Sequence, residues 1–205
     1  MIESLAELVG ELEKHVNELR GAGDDAKLLA ATSDAADKIE RRLEAHWNDE
    51  KREALKAIQR LMFNAAADCW PGWSVRDEPA NLHNLLAARG LAERSVRLVR
   101  DLGLGRLREG TGTWLVGAFE LALGRCTEAS SIFSVAREHY VAANAPDLVL
   151  LMEGYIAIVR QNSKYQFPPD GDDLDQVCDR ISAEGFKDGA AWIAQLRTAS
   201  KVFTR

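Results

Sequence analysis

The stretch TWLVGAFELALGRCTEASSIFSVAREHY, residues Thr113 to Tyr140, reads as two helices joined by one glycine. Gly117 lies in the middle of the first helix and Gly124 closes it. Ala129, Phe133 and Ala136 then fall on one face of the second. The link between the two helices is short, which favours antiparallel neighbours. The stretch therefore predicts an antiparallel helical hairpin.

Helical periodicity extends outward in both directions. Toward the amino terminus, Ile2, Leu5, Leu8, Val9, Leu12, Val16 and Leu19 recur at intervals of three and four, and RGAGDD follows as a stop. A second stripe runs from Leu28 to Trp47 and a third helix covers Glu50 to Trp70. Within ADCWPGWSVRDEP, Pro71 disfavours helical geometry at Trp70 and Gly72 follows, so the third helix ends there and Ser74 to Pro79 reads as a connector. Beyond it the pattern predicts helices up to Leu102 and over Leu107–Leu123, Thr127–Ala143, Pro146–Gln161, Asp172–Glu184 and Gly189–Phe203. No segment alternates at period two for more than a few residues, so no sheet is expected. The expected class is all-α, with short links that favour antiparallel neighbours.

Composition narrows the function classes. The chain has 205 residues, 46% of them hydrophobic and 28% charged, with a formal net charge of −6. Such a chain can bury a real core, and its acidic balance repels phosphate backbones and anionic lipid, so no nucleic acid and no membrane partner is expected. No run of about 18 apolar residues is present to cross a bilayer, and the amino terminus carries glutamates where a secretory signal would carry lysine or arginine. The expected location is the cytoplasm. Cys69, Cys126 and Cys178 are an odd number at wide spacings, which fits reduced thiols.

The hairpin at Thr113–Tyr140 resembles a tetratricopeptide repeat, in which a small mid-helix residue, a glycine turn and an alanine, aromatic, alanine series make two helices pack closely. Gly117, Gly124, Ala129, Phe133 and Ala136 stand in those places. Trp114 sits one place later than the family tryptophan, Glu120 occupies the usual tyrosine place, and the expected proline arrives late, as Pro146. Gly154, flanked by Leu151 and Ile156, repeats the phase 37 residues after Gly117, and ARGLAERSVRLV and EGFKDGAAWI are weaker echoes. The resemblance implies helix hairpins stacked as a right-handed superhelix over residues 49–205. Residues 1–48 then either cap the array or mediate self-association as a homodimer.

The same resemblance implies a non-catalytic module, an adaptor or regulatory subunit, that binds a peptide or protein segment in a groove lined by the first helix of each hairpin. Trp114, Ala118 and Leu121 would face that groove, joined by Tyr155 from the next hairpin, with Trp73 of the connector as a further contact. An enzyme or small-ligand binder is the alternative. Its site would lie between helices near Trp114 and Glu120, or use Asp68 beside Trp70, because a carboxylate held in apolar surroundings is a candidate acid or base.

The remaining motifs carry bland readings. His15, His46, His83 and His139 have no metal-ligand spacing, and neither a metal nor a cofactor is expected. PPDGDDLDQ, Pro168 to Gln176, lacks the length and terminal glutamate of a calcium loop, so its aspartates read as a helix start. RLVRDLGLGRLRE, Arg97 to Glu109, has no interleaved aromatics and reads as a solvated basic face.

Overall fold

The structure, a computed structural model, describes residues 4–20, 22–43, 49–75, 79–163 and 171–204. Nine α-helices follow one another in these residues: α1 (Leu5–Arg20), α2 (Asp25–Leu43), α3 (Asp49–Asp68), α4 (Leu82–Asp101), α5 (Arg106–Ala122), α6 (Cys126–Ala142), α7 (Pro146–Asn162), α8 (Leu174–Glu184) and α9 (Gly189–Phe203). A 3₁₀ turn, Pro71–Trp73, follows α3, and no strand occurs among the described residues. Trp47 and residues 76–78 and 164–170 lie outside them.

Sequence neighbours are spatial neighbours. Each helix from α3 to α7 packs along the next, α7 then takes both α8 and α9, and α1 and α2 lie on α3. Three successive links, α4 to α5, α5 to α6 and α6 to α7, use one turn. Gly103, Gly124 and Asn144 are left-handed, with φ of 61°, 73° and 53°. The N–H of each donates to the carbonyl three residues back, and the next N–H (Leu104, Arg125, Ala145) donates to the carbonyl five back. This double bond pattern satisfies orphan carbonyls at the helix end and reverses the chain within three residues.

Close approach between packed helices rests on missing side chains. A Cβ at Gly117 would lie 2.9 Å from the ring of Phe133, and one at Gly154 would lie 2.5 Å from Leu196. Ala129, Phe133 and Ala136 are all buried at the α5–α6 contact, as expected of a tightly packed pair. One core cluster runs from Val16 in α1 through Ala118 and Phe133 to Ala199 in α9. A smaller one joins Ile39 and Leu43 to Ala54 and Ile58, with Leu8, Val9 and Leu12 packed on it. The stripes of α1 and α2 thus face α3 within the same chain.

The WPGW segment is a plug. Trp70 takes an extended backbone (φ −72°, ψ 123°) before Pro71 and is fully buried. Its indole N–H donates to the carbonyl of Ala118 in α5 at 3.1 Å. A Cβ at Gly72 would fall 2.3 Å from the Trp70 ring, so only glycine lets the turn fold over that indole. The aspartate-rich segment starts α8: Asp173 accepts from the Gln176 N–H while the Gln176 side chain accepts from the Asp173 N–H, a reciprocal cap. Asp172 and Asp175 pair with Arg180 and Arg197. Pro168 to Asp170 lie outside the described residues.

Candidate functional site

Four of the five residues expected to line a groove are interior. Trp114 and Leu121 are 7% and 3% exposed, while Ala118 and Tyr155 are fully buried; only Trp73, at 44%, reaches solvent. The structure does bring the aromatic ones together. Trp70 lies edge-on to Trp73 at 4.8 Å and to Trp114 at 5.7 Å between ring centroids, Trp114 meets Tyr155 at 5.9 Å, and Phe133 stacks on Tyr155 at 5.1 Å. From α9, Phe203 reaches Trp70 and the Gln195 amide donates to the Tyr155 hydroxyl at 2.6 Å. Burial raises the Tyr155 phenol well above the usual tyrosine range, with the Gln195 bond opposing it. The surface expected for Trp114, Ala118, Leu121 and Tyr155 is therefore filled by the chain's own 3₁₀ turn and α9. The apolar area of two tryptophans and a tyrosine is better removed from water than left waiting for a ligand.

The carboxylates of the alternative reading are engaged elsewhere. Glu120 is 2% exposed, yet it is held as an ion-pair partner, 2.5 Å from Arg89 Nε in α4 and 3.3 Å from Arg125. The Arg89 Nε–H is not aligned for a hydrogen bond, so that contact is chiefly electrostatic. Glu120 stands on the α4 side of α5, whereas Trp114 meets the aromatic cluster. Asp68 pairs with Arg20 of α1 at 2.5 Å. His139 lies 3.3 Å from Glu109, and burial lowers its pKa despite that carboxylate. Cys69 and Cys178 are buried, and burial raises the thiols of Cys126 and Cys178. Among the described residues no group of three or more histidine, cysteine or acidic side chains is placed to hold a metal, and no helix is long and apolar enough to cross a membrane.

An open cleft of about 420 Å³ lies instead between α3 and α5, the first helices of two consecutive hairpins. Phe63, Leu104 and Leu107 give it an apolar lining, and Lys56, Arg60 and Arg108 give it positive charge. Leu107 is 49% exposed. Lys56 is paired with Glu53 at 2.6 Å and Arg60 loosely with Glu13 at 3.7 Å, but Arg108 has no ion-pair partner among the described residues. Its floor is fixed by Gln59 and Ser95, which exchange hydrogen bonds at 3.0 and 3.2 Å between α3 and α4, and by Thr111, which accepts from Tyr140 at 3.3 Å. Loose cations beside exposed aliphatic groups can hold an anionic, partly apolar segment; no nucleophile with an adjacent base is present there.

Sequence reasoning missed this cleft because its elements look ordinary singly. The available signal was RLVRDLGLGRLRE: Leu107 and Arg108 sit just past a double-glycine link, on the first turn of a helix whose later residues, from Trp114 to Ala122, are apolar apart from Glu120. Compared with protein-family models, with curated proteins and with solved structures, the chain gives no match.

Proposed function

We propose that the chain is a non-catalytic interaction module, an adaptor or regulatory subunit whose stacked hairpins work in the manner of a tetratricopeptide array. It receives a protein segment along the first helices of its hairpins, in the cleft between α3 and α5. The observation that carries this reading is the pairing of an exposed Leu107 with an uncompensated Arg108 over a rigid floor. A solvent-facing leucine alone is common; beside Phe63, Leu104 and an arginine that no carboxylate neutralises among the described residues, it is a surface with complementary needs. The buried aromatic cluster has a supporting part, holding α5 and α7 in register beneath that surface.

The test is affinity capture from the source cell with the wild type, with a Leu107→Asp, Arg108→Glu variant, and with Leu82→Asp as a control at an exposed leucine of α4. Both variants should keep the wild-type helical circular dichroism, because all three positions are exposed. The proposal expects the cleft variant to lose a partner that the control retains. Equal recovery by all three proteins would refute it.

A further inference from the structure

The basic stretch Arg97–Glu109 has a second face. On the side of α5 away from the aromatic cluster, α4 and α6 bound a trough of about 540 Å³. Val96 and Val116 form its apolar floor, Ile132 and Val135 of α6 one wall, and Arg97 and Arg100 of α4 the other, with Glu93, whose charge Arg89 takes up, at the end of that wall. Val135 is 39% exposed. The remaining arginines of the helix body are paired, Arg89 with Glu93 and Glu120 and Arg94 with Asp37 and Glu40. Arg97 and Arg100 are exposed and have no ion-pair partner among the described residues. Thr113, on the floor, is 5% exposed, and its buried hydroxyl has no hydrogen-bond partner among the described residues.

We infer that this trough seats an acidic amphipathic helix of another protein, its aliphatic face on Val116, Ile132 and Val135 and its carboxylates on Arg97 and Arg100. The two arginines stand three residues apart, one turn of α4, so they match carboxylates one turn apart on a facing helix. The lining from Glu93 to Arg100 spans about two turns, long enough for two successive apolar anchors at helical spacing. Carboxylates on a short segment suit the site better than a phosphate polymer. The chain's net charge of −6 repels an extended polyanion, and no aromatic side chain lines the trough for base stacking. This inference does not depend on the α3–α5 cleft.

The probe is a fluorescein-labelled synthetic helix of about 18 residues, long enough to hold helical structure, with leucines along one face and glutamates along its edge. A second peptide has every glutamate replaced by glutamine. Fluorescence anisotropy should give saturable binding of the glutamate peptide to the wild type, weakened by added salt. Arg97→Gln with Arg100→Gln, or Val135→Asp alone, should weaken it about tenfold or more, a change of about 1.4 kcal/mol. Arg108→Gln should leave it unchanged, which separates this trough from the α3–α5 cleft. All four positions are exposed, and circular dichroism checks that each variant is folded. The inference is overturned by absence of saturable binding, by equal affinity for the two peptides or for the arginine variant, or by displacement with an equal amount of a short deoxythymidine oligonucleotide. Concentration-dependent self-association of the wild type that Val135→Asp removes would also overturn it, since the occupant would then be a second copy.

Discussion

Gly117 and Gly124 are both glycine for reasons that can be told apart by substitution. A Cβ at Gly117 meets the Phe133 ring, whereas one at Gly124 meets nothing within 4 Å and is opposed only by a φ of 73°. Gly124→Ala should therefore cost about 1–2 kcal/mol, the strain of a left-handed alanine, while Gly117→Val should cost about 1–3 kcal/mol through overpacking. Thermal unfolding reads both, at about 2–4 °C per kcal/mol for a chain of this size. Gly117→Val should in addition change the near-ultraviolet dichroism of the aromatic cluster behind Phe133; Gly124→Ala should not. Tyrosine titration provides a second residue-scale test. Burial pushes the Tyr140 phenol up to about 12, only partly offset by its bond to Thr111, and an unfolded tyrosine ionises near pH 10. The native state therefore holds its proton where the unfolded state has lost it. Stability is intact below about pH 10 and falls as pH rises toward 12, by roughly 2–3 kcal/mol for this group. Absorbance at tyrosinate wavelengths should show Tyr140 and Tyr155 ionising together with unfolding; ionisation of both near pH 10 in folded protein would contradict their burial. At this scale the sequence was informative where one residue type has one physical use, as at Pro71 and Gly124. It marked Glu120 as a carboxylate in apolar surroundings but was silent on its partner, because nothing in residues 114–123 reveals that Arg89, some thirty positions earlier, would meet it.

The helices themselves were legible because each buries one stripe. The expected span Gly189–Phe203 is the observed α9, and Leu107–Leu123 and Thr127–Ala143 match α5 and α6 to within one residue at each end. What periodicity could not assign was the partner of each stripe. α1 and α2 carried stripes equally suited to a second copy, and the structure spends them on α3. Likewise α9 has the amphipathic pattern of any terminal helix, and its position over Trp70 and Tyr155 follows from Leu196 fitting the gap above Gly154. Leu196 is fully buried, so Leu196→Ala should cost about 2–5 kcal/mol. If α9 is the lid of the aromatic cluster, the same variant should shift tryptophan emission to the red and raise quenching by acrylamide at temperatures well below unfolding. A variant with unchanged emission would place the cluster's shielding in the 3₁₀ turn alone.

At the scale of the described residues, a side filled by the chain itself contrasts with open surfaces that carry arginines. The α5–α7–α9 side is closed by its own tryptophans, whereas the α3–α5 cleft and the α4–α6 trough keep exposed aliphatic groups beside arginines that have no ion-pair partner among the described residues. Both open surfaces draw the arginines that lack an ion-pair partner among the described residues from the single stretch Arg97–Glu109, on either side of the link at Gly103 and Gly105, while Lys56 and Arg60 of the cleft come from α3. That stretch looked like a solvated face because charge alone does not say which arginines find carboxylates; Arg106 does, with Glu109, whereas Arg97, Arg100 and Arg108 find none among the described residues. The groove expected at Trp114 of α5 and Tyr155 of α7 is occupied by the chain's own side chains, since a sequence pattern fixes which residues are apolar and leaves open whether the chain itself covers them. Amide hydrogen exchange of the chain alone and with the partner recovered by capture tests the functional proposal most directly. Added protection is expected in residues 56–64 of α3 and 104–111 at the start of α5, with α9 unchanged. Protection that falls on α9 and the 3₁₀ turn, or on no part of α3 and α5, would contradict it.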